Sequence, residues 1–138
     1  MKFYIASRLG NYQQVQLLAE KLKTAGWIHT YDWTDEWMKH KPTDLANEQD
    51  LAAIAKQEFE GVAQADVVII LTPQGRGTHI ELGMALALNK TVFICHSDDT
   101  YFKGDDNTTA FYLLPQIIRV IGDTEEIAEK VLKHVEPV

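Results

Sequence analysis

The apolar positions of this chain fall into short blocks whose spacing switches between continuous runs and helical periods. Phe3-Tyr4-Ile5-Ala6 is a brief apolar run closed by Ser7-Arg8-Leu9-Gly10-Asn11, which predicts a first strand and the loop after it. Val15, Leu18, Ala19 and Leu22 then recur at helical spacing, and Gly26 follows as a stop signal. Trp27 to Asp32 alternates large apolar with polar groups and begins a second strand. Trp33 to Pro42 mixes both signs of charge with Trp33, Trp37 and Met38 and has no clean period. It reads as a loop whose aromatics suit a lid or wall. Thr43 or Asp44 is placed to cap a long helix running to about Ala65, with Leu51, Ile54, Ala55, Phe59 and Val62 as its buried stripe.

Val67-Val68-Ile69-Ile70-Leu71 is a nearly continuous β-branched run, the pattern of a central strand covered on both faces. A helix from Thr78 to about Leu88 follows, then a fourth strand from Thr91 to Cys95. The acidic stretch Ser97 to Thr109 reads as irregular, Ile117 to Ile121 as a fifth strand, and Thr124 as the cap of a last helix with Glu125 and Glu126 in its first turn. Strands alternating with helices predict an α/β, doubly wound (Rossmann-like or flavodoxin-like) parallel sheet of five strands flanked by helices. Such sheets bind ligands beyond the carboxyl ends of their strands. Tyr4 to Arg8, Asp32 to Trp33 and Pro73 to Glu81 should therefore meet on one rim, with Asp66 on the opposite one as a structural residue.

Composition narrows this picture to one domain spanning 1–138. With 138 residues, 46% apolar and 24% charged, the chain can bury a single core of its own. A net charge of −7 argues against a nucleic-acid backbone or an anionic membrane as partner, but not against a small anionic ligand held by local donors. The single cysteine, Cys95, excludes an intramolecular disulfide and reads as a small buried hydrophobe. No run approaches the roughly 20 apolar residues of a membrane span. Met1 to Ser7 enters a strand directly rather than a signal peptide, so a cytoplasmic, soluble protein is expected. His29, His79 and His96 lack metal-ligand spacing, and no metal or other cofactor is expected.

The sharpest local signal is Thr72-Pro73-Gln74-Gly75-Arg76-Gly77-Thr78-His79-Ile80-Glu81-Leu82-Gly83. Two glycines let backbone approach a ligand, and the helix start beyond them offers free amides and positive dipole. A first-turn Glu81 would be stabilised there as an anion, which suits a nucleophile; on pattern alone it serves equally well as a dipole-complementing acid.

These residues, with Tyr4 and with Glu58 eight positions before Asp66, resemble the nucleoside 2-deoxyribosyltransferase family. The likeness runs through Phe3-Tyr4-Ile5-Ala6-Ser7, the apolar third strand, Gly77-Thr78-His79-Ile80-Glu81-Leu82-Gly83-Met84-Ala85 and Asn89-Lys90-Thr91-Val92, roughly positions 2 to 95. The resemblance implies that Glu81 attacks the anomeric carbon of a deoxyribosyl group, that Tyr4 orients that carboxylate, and that Glu58 faces the nucleobase where the family usually has an aspartate. A covalent glycosyl-enzyme would then be resolved by a second base or by water. It also implies a small-molecule nucleoside or nucleotide and a free nucleobase as partners. A homo-oligomer is implied too, in which Asn107 is the candidate for completing a neighbour's sugar site.

Members acting on free nucleosides tend to carry an acid about six residues before the nucleophile, where this chain has Gly75 followed by Arg76. Related deoxynucleoside 5′-monophosphate N-glycosidases hold a phosphate at these loops. Ser7, Arg8, Arg76 and the Gly77-Thr78 amides are the residues suited to that role here. Three functions stand: a transferase acting through Glu81, a hydrolase of the same architecture, and a nucleotide- or ADP-ribose-sensing module without turnover. Phe111, Tyr112, Leu113 and Leu114 are the apolar residues available for contact between subunits.

Overall fold

The protein is described by a computed structural model over residues 1–39 and 48–135. Its strands are β1 (Lys2–Ala6), β2 (Ile28–His29), β3 (Val67–Leu71), β4 (Thr91–His96) and β5 (Ile117–Ile121). Between and around them run α1 (Tyr12–Thr24), α2 (Trp33–Lys39), α3 (Glu48–Gln64), α4 (Arg76–Ala87) and α5 (Thr124–His134). The strands form one fully parallel sheet in the order β2-β1-β3-β4-β5, as the alternation of elements predicts. β1 is buried from Phe3 onward and β3 throughout, because parallel strands are covered on both faces.

α1 packs against α5 on one face, and α3 against α4 on the other. The chain therefore leaves β1 toward one face and β3, its neighbour, toward the other. The carboxyl ends of these two strands diverge and open a crevice, the usual place for a ligand in such a sheet. At the far end of β3, Asp66 accepts a hydrogen bond from the Lys2 amide at 2.9 Å, a structural role at the opposite rim. Cys95 is fully buried in β4, and burial pushes its thiol pKa up.

Several boundaries differ from the sequence expectation, each for a local reason. β2 is only Ile28–His29, since Asp32 accepts a hydrogen bond from the Thr34 amide at 3.0 Å and turns the chain into a helix where a loop was expected. The buried face of α3 carries Ile54, Gly61 and Val62 and is continued by Ala65 just beyond the helix, with Glu58 half-buried among them. Leu51, Ala55 and Phe59 lie on the exposed side, so only Ile54 and Val62 of the expected stripe are buried. The expected cap at Thr43 or Asp44 lies outside the described residues. α5 is capped by Asp123 rather than Thr124: its carboxylate accepts from the Glu126 amide at 2.8 Å, and Glu126 accepts in return from the Asp123 amide, worth about 1 kcal/mol. Tyr112 belongs to the core, whereas Phe111 and Leu113 on the same 3-10 helix face outward.

The β2 edge carries a titratable group whose charge the fold resists. The His29 ring stacks on Phe3 at 4.5 Å, and both its nitrogens are buried without a hydrogen-bond partner among the described residues. Burial lowers its pKa to about 4, against an opposing pull from Asp32. The unfolded chain takes up this proton near pH 6.5, so the contribution to stability is complete above that pH and is lost as pH falls toward 4. After discounting for partial exposure the loss is on the order of 2 kcal/mol. Urea unfolding at pH 7 and pH 4.5 should show His29→Phe losing less stability than the parent. An equal loss in both would remove His29 as the cause.

Candidate active site

The crevice between β1 and β3 holds a cavity of about 210 Å³. The loop after β1 supplies Ser7, Arg8 and Leu9; α2 supplies Trp33, α3 supplies Glu58, and the α4 entry supplies Gly75, Gly77, Thr78 and Glu81. Trp33 is tied in place through its indole nitrogen, which donates to the Ile5 carbonyl at 2.7 Å and so locks α2 onto β1. A larger hollow of about 300 Å³ lies on the α1–α5 face, lined by Thr72, His96 and Asp123 among others. Those polar groups are already paired: Thr72 with the Cys95 carbonyl and His96, and Asp123 with the Glu126 amide. The smaller cavity is the one that holds facing carboxyl groups, and we place the site there.

α4 begins at Arg76, two residues earlier than the pattern suggests, because the Thr78 hydroxyl accepts from the Gly75 amide at 3.0 Å and closes the first turn. Glu81 thus sits in the second turn rather than the first and points inward, 8% exposed. The expectation of an anion held by the helix dipole does not survive this shift. Burial, then the charge of Glu58, raise the Glu81 pKa to about 8, while the Tyr4 hydroxyl pulls it down. Tyr4 is itself fully buried, and burial followed by Glu81 and Glu58 pushes its phenol well above the ordinary value.

The Tyr4 hydroxyl and Glu81 Oε2 are both sequestered, and among the described residues neither completes a hydrogen bond of ordinary geometry. They are close enough to perturb one another, which fits a catalytic contact that tightens only around substrate. Two carboxyl groups in one partly desolvated cavity cannot both ionise cheaply, so near neutral pH they retain a proton between them. Such a pair offers one nucleophilic or electrostatic carboxylate and one acid.

The structure brings Tyr4, Ser7, Arg8, Glu58, Gly75, Gly77, Thr78 and Glu81 together. Ser7 has little left for a ligand: its hydroxyl donates to the Leu71 carbonyl at 2.7 Å and accepts from Asn11. Arg76 is exposed and does not line the cavity, and Asn107 lies exposed in a turn where its amide donates to Asp105. His79 points away from Glu81 to meet the Tyr112 hydroxyl at 2.9 Å, as helix positions two apart require. Sequence reasoning missed Leu9 at the cavity rim. It also left Trp33 in a loop, although Asp32-Trp33-Thr34 followed by Asp35 and Glu36 is a recognisable helix start.

Residues 3–129 match the sequence profile of the family described as Nucleoside 2-deoxyribosyltransferase. No curated protein sequence matches the chain. Among solved structures, the CMP N-glycosidase BcmB of Clostridium botulinum shares the fold with a TM-score of 0.61 at 14% identity, over 98% of this chain and 100% of that one. A 2-deoxyribosyltransferase of Bacillus psychrosaccharolyticus does so with a TM-score of 0.66 at 16% identity, over 93% of this chain and 90% of that one.

Proposed function

The chain belongs to the nucleoside 2-deoxyribosyltransferase family, and on that premise we propose that it cleaves the N-glycosidic bond of a nucleoside or its 5′-monophosphate through a covalent glycosyl-Glu81 intermediate. The observation that carries this reading is the convergence of Glu81, Glu58 and Tyr4 at the crevice between β1 and β3. In the first half-reaction a Glu81 carboxylate oxygen bonds to the anomeric carbon. The C–N bond breaks, its electron pair stays on the base nitrogen, and Glu58 delivers the proton that base requires. Tyr4 donates toward Glu81 and holds the attacking oxygen in place. In the second half-reaction an incoming base nitrogen displaces the Glu81 ester, and Glu58 takes up the proton released. The acceptor thus restores both carboxyl groups to their starting state.

A hydrolase with water as acceptor is the second reading, and Arg8 at the cavity wall favours a phosphorylated donor within either. Asn107, exposed and not among the residues that line its own cavity, is assigned on this reading to a neighbouring copy. Assembly through α4 fits the exposure of Ile80 (65%) and Phe111 (62%) beside an apolar groove of about 330 Å³. The test is a product assay with deoxyinosine, deoxycytidine and their monophosphates, each with and without free adenine, on protein whose mass is measured by sedimentation. A new adenine nucleoside or nucleotide, formed by a species of two or more chains, is the expected result. Free base released equally with or without adenine would leave the hydrolase; release from no donor would abandon catalysis in favour of a sensing module.

A further inference from the structure

Gly61 lies in α3 three residues beyond Glu58, on the same side of the helix. Glycine inside a helix costs about 1 kcal/mol relative to alanine, so a close approach usually explains it. Here the approach is to Tyr4. A Cβ at position 61 would stand 2.9 Å from Tyr4 Cδ2, 3.1 Å from Tyr4 Cε2 and 3.0 Å from Tyr31 Cβ. Carbon atoms attract best at about 3.5–4.0 Å, so any side chain here must push something aside. The Tyr4 ring has no retreat: it is fully buried on β1, which is paired on both edges by β2 and β3. A second contact draws the helix inward at the same point. The Thr30 hydroxyl reaches the Gly61 carbonyl at 2.7 Å and the Phe3 carbonyl at 3.2 Å, one residue before Tyr4.

We propose that Gly61 is a positioning residue: by letting α3 lie directly on the Tyr4 ring, with Thr30 as the tie, it sets Glu58 within reach of Tyr4 and Glu81. A methyl group at position 61 lifts α3 from β1 and carries Glu58 outward from the cavity. The inference rests on the catalytic roles proposed above for Glu58 and Glu81, but its geometric core does not. Among the described residues, the ionisable groups around Glu81 are Tyr4 from β1, Glu58 from α3 and Arg8 from the loop after β1, with Tyr31 acting in turn on Tyr4 and Glu58; of these only Glu58 rides on the displaced helix.

The experiment is a carboxyl NMR titration of Glu81 in the ligand-free full chain, for the parent, Gly61→Ala and Thr30→Val, with kcat and KM measured on the best donor. Ala55→Gly, on the exposed side of α3, controls for weakening the helix without touching Tyr4. The Glu81 midpoint should fall by about one pH unit or more in Gly61→Ala, because Glu58 and part of the burial are withdrawn. It should fall less in Thr30→Val and stay put in Ala55→Gly. The kcat of Gly61→Ala should drop about 10- to 100-fold with KM nearly unchanged. Should Gly61→Ala fail to fold, Thr30→Val tests the same approach from the strand side. A midpoint unmoved in both variants overturns the positioning role, as does a shifted midpoint with parental kcat. If the parent turns over no donor, the proposed function falls, while the titration still decides whether Gly61 sets the spacing.

Discussion

Glu81→Gln is expected to lose at least about a thousandfold in turnover and, at alkaline pH, to be the more stable protein. The first half follows from the proposed chemistry: an amide oxygen cannot form the glycosyl ester, and the isosteric side chain leaves the cavity and its binding contacts intact. The second half follows from where the fold puts this carboxyl. Glu81 is buried beside Glu58, and its pKa is raised to about 8, whereas in the unfolded chain it titrates near 4.5. Between those values the folded state holds a proton that the unfolded state has released, so stability falls as pH rises through the window and the cost is complete above it.

Glutamine carries no such cost. Because Glu58 shares the retained proton, the advantage of the variant should be about 1–3 kcal/mol at pH 8.5, and near zero at pH 4 where the parent carboxyl is neutral in both states. Urea unfolding at the two pH values, run beside the donor assay, measures both effects on one preparation. A variant with parental turnover would remove Glu81 as nucleophile. A variant that gains nothing at pH 8.5 would mean that the folded carboxyl is not strained. With both outcomes as expected, the site would trade stability for a reactive group, as buried catalytic carboxyls commonly do.

The same residue marks the limit of what the chain reveals before folding. Thr78-His79-Ile80-Glu81-Leu82-Gly83 is legible as a helix entry that carries an acid, and Phe3-Tyr4-Ile5-Ala6 and Val67 to Leu71 as the strands beside it. The protonation state of Glu81 is not legible, because it depends on whether the helix begins at Thr78 or at Arg76. A single hydrogen bond between the Gly75 amide and the Thr78 hydroxyl moves Glu81 from dipole-stabilised first turn to desolvated second turn. On α3 the misreading has a different cause. Leu51, Ala55 and Phe59 make as good an apolar stripe as Ile54 and Val62, and the true buried face hides behind the charge of Glu58. A carboxylate placed in a core stripe is a local inconsistency, and functional sites are where such inconsistencies concentrate. Gly61 escaped notice for the complementary reason: its meaning lies wholly in the ring it lies against, 57 positions earlier in the chain.

Glu58→Gln should reveal a proton donor by an effect that depends on the leaving group. With an ordinary nucleobase the rate of base release should fall about 10²- to 10³-fold, the usual worth of a positioned acid. A donor whose base leaves readily as an anion needs no such proton, and its loss should be less than about tenfold. The pH profile should move as well, in a direction fixed by the pair. In the parent, kcat/KM for the ordinary donor should be bell-shaped, since productive enzyme has one proton distributed over two carboxyl groups. Removing the Glu58 charge takes away the second-largest cause that raises Glu81, so the acidic limb should shift to lower pH and the alkaline limb should disappear. At pH 6 more Glu81 is then ionised than in the parent, and the variant's deficit with the activated donor should shrink further or reverse. Measuring kcat/KM against pH for two donors that differ only in the acidity of the departing base separates this role from others. A uniform loss across both donors would assign Glu58 to substrate placement and leave protonation of the base to another group, such as the Tyr4 hydroxyl buried against the same carboxyls.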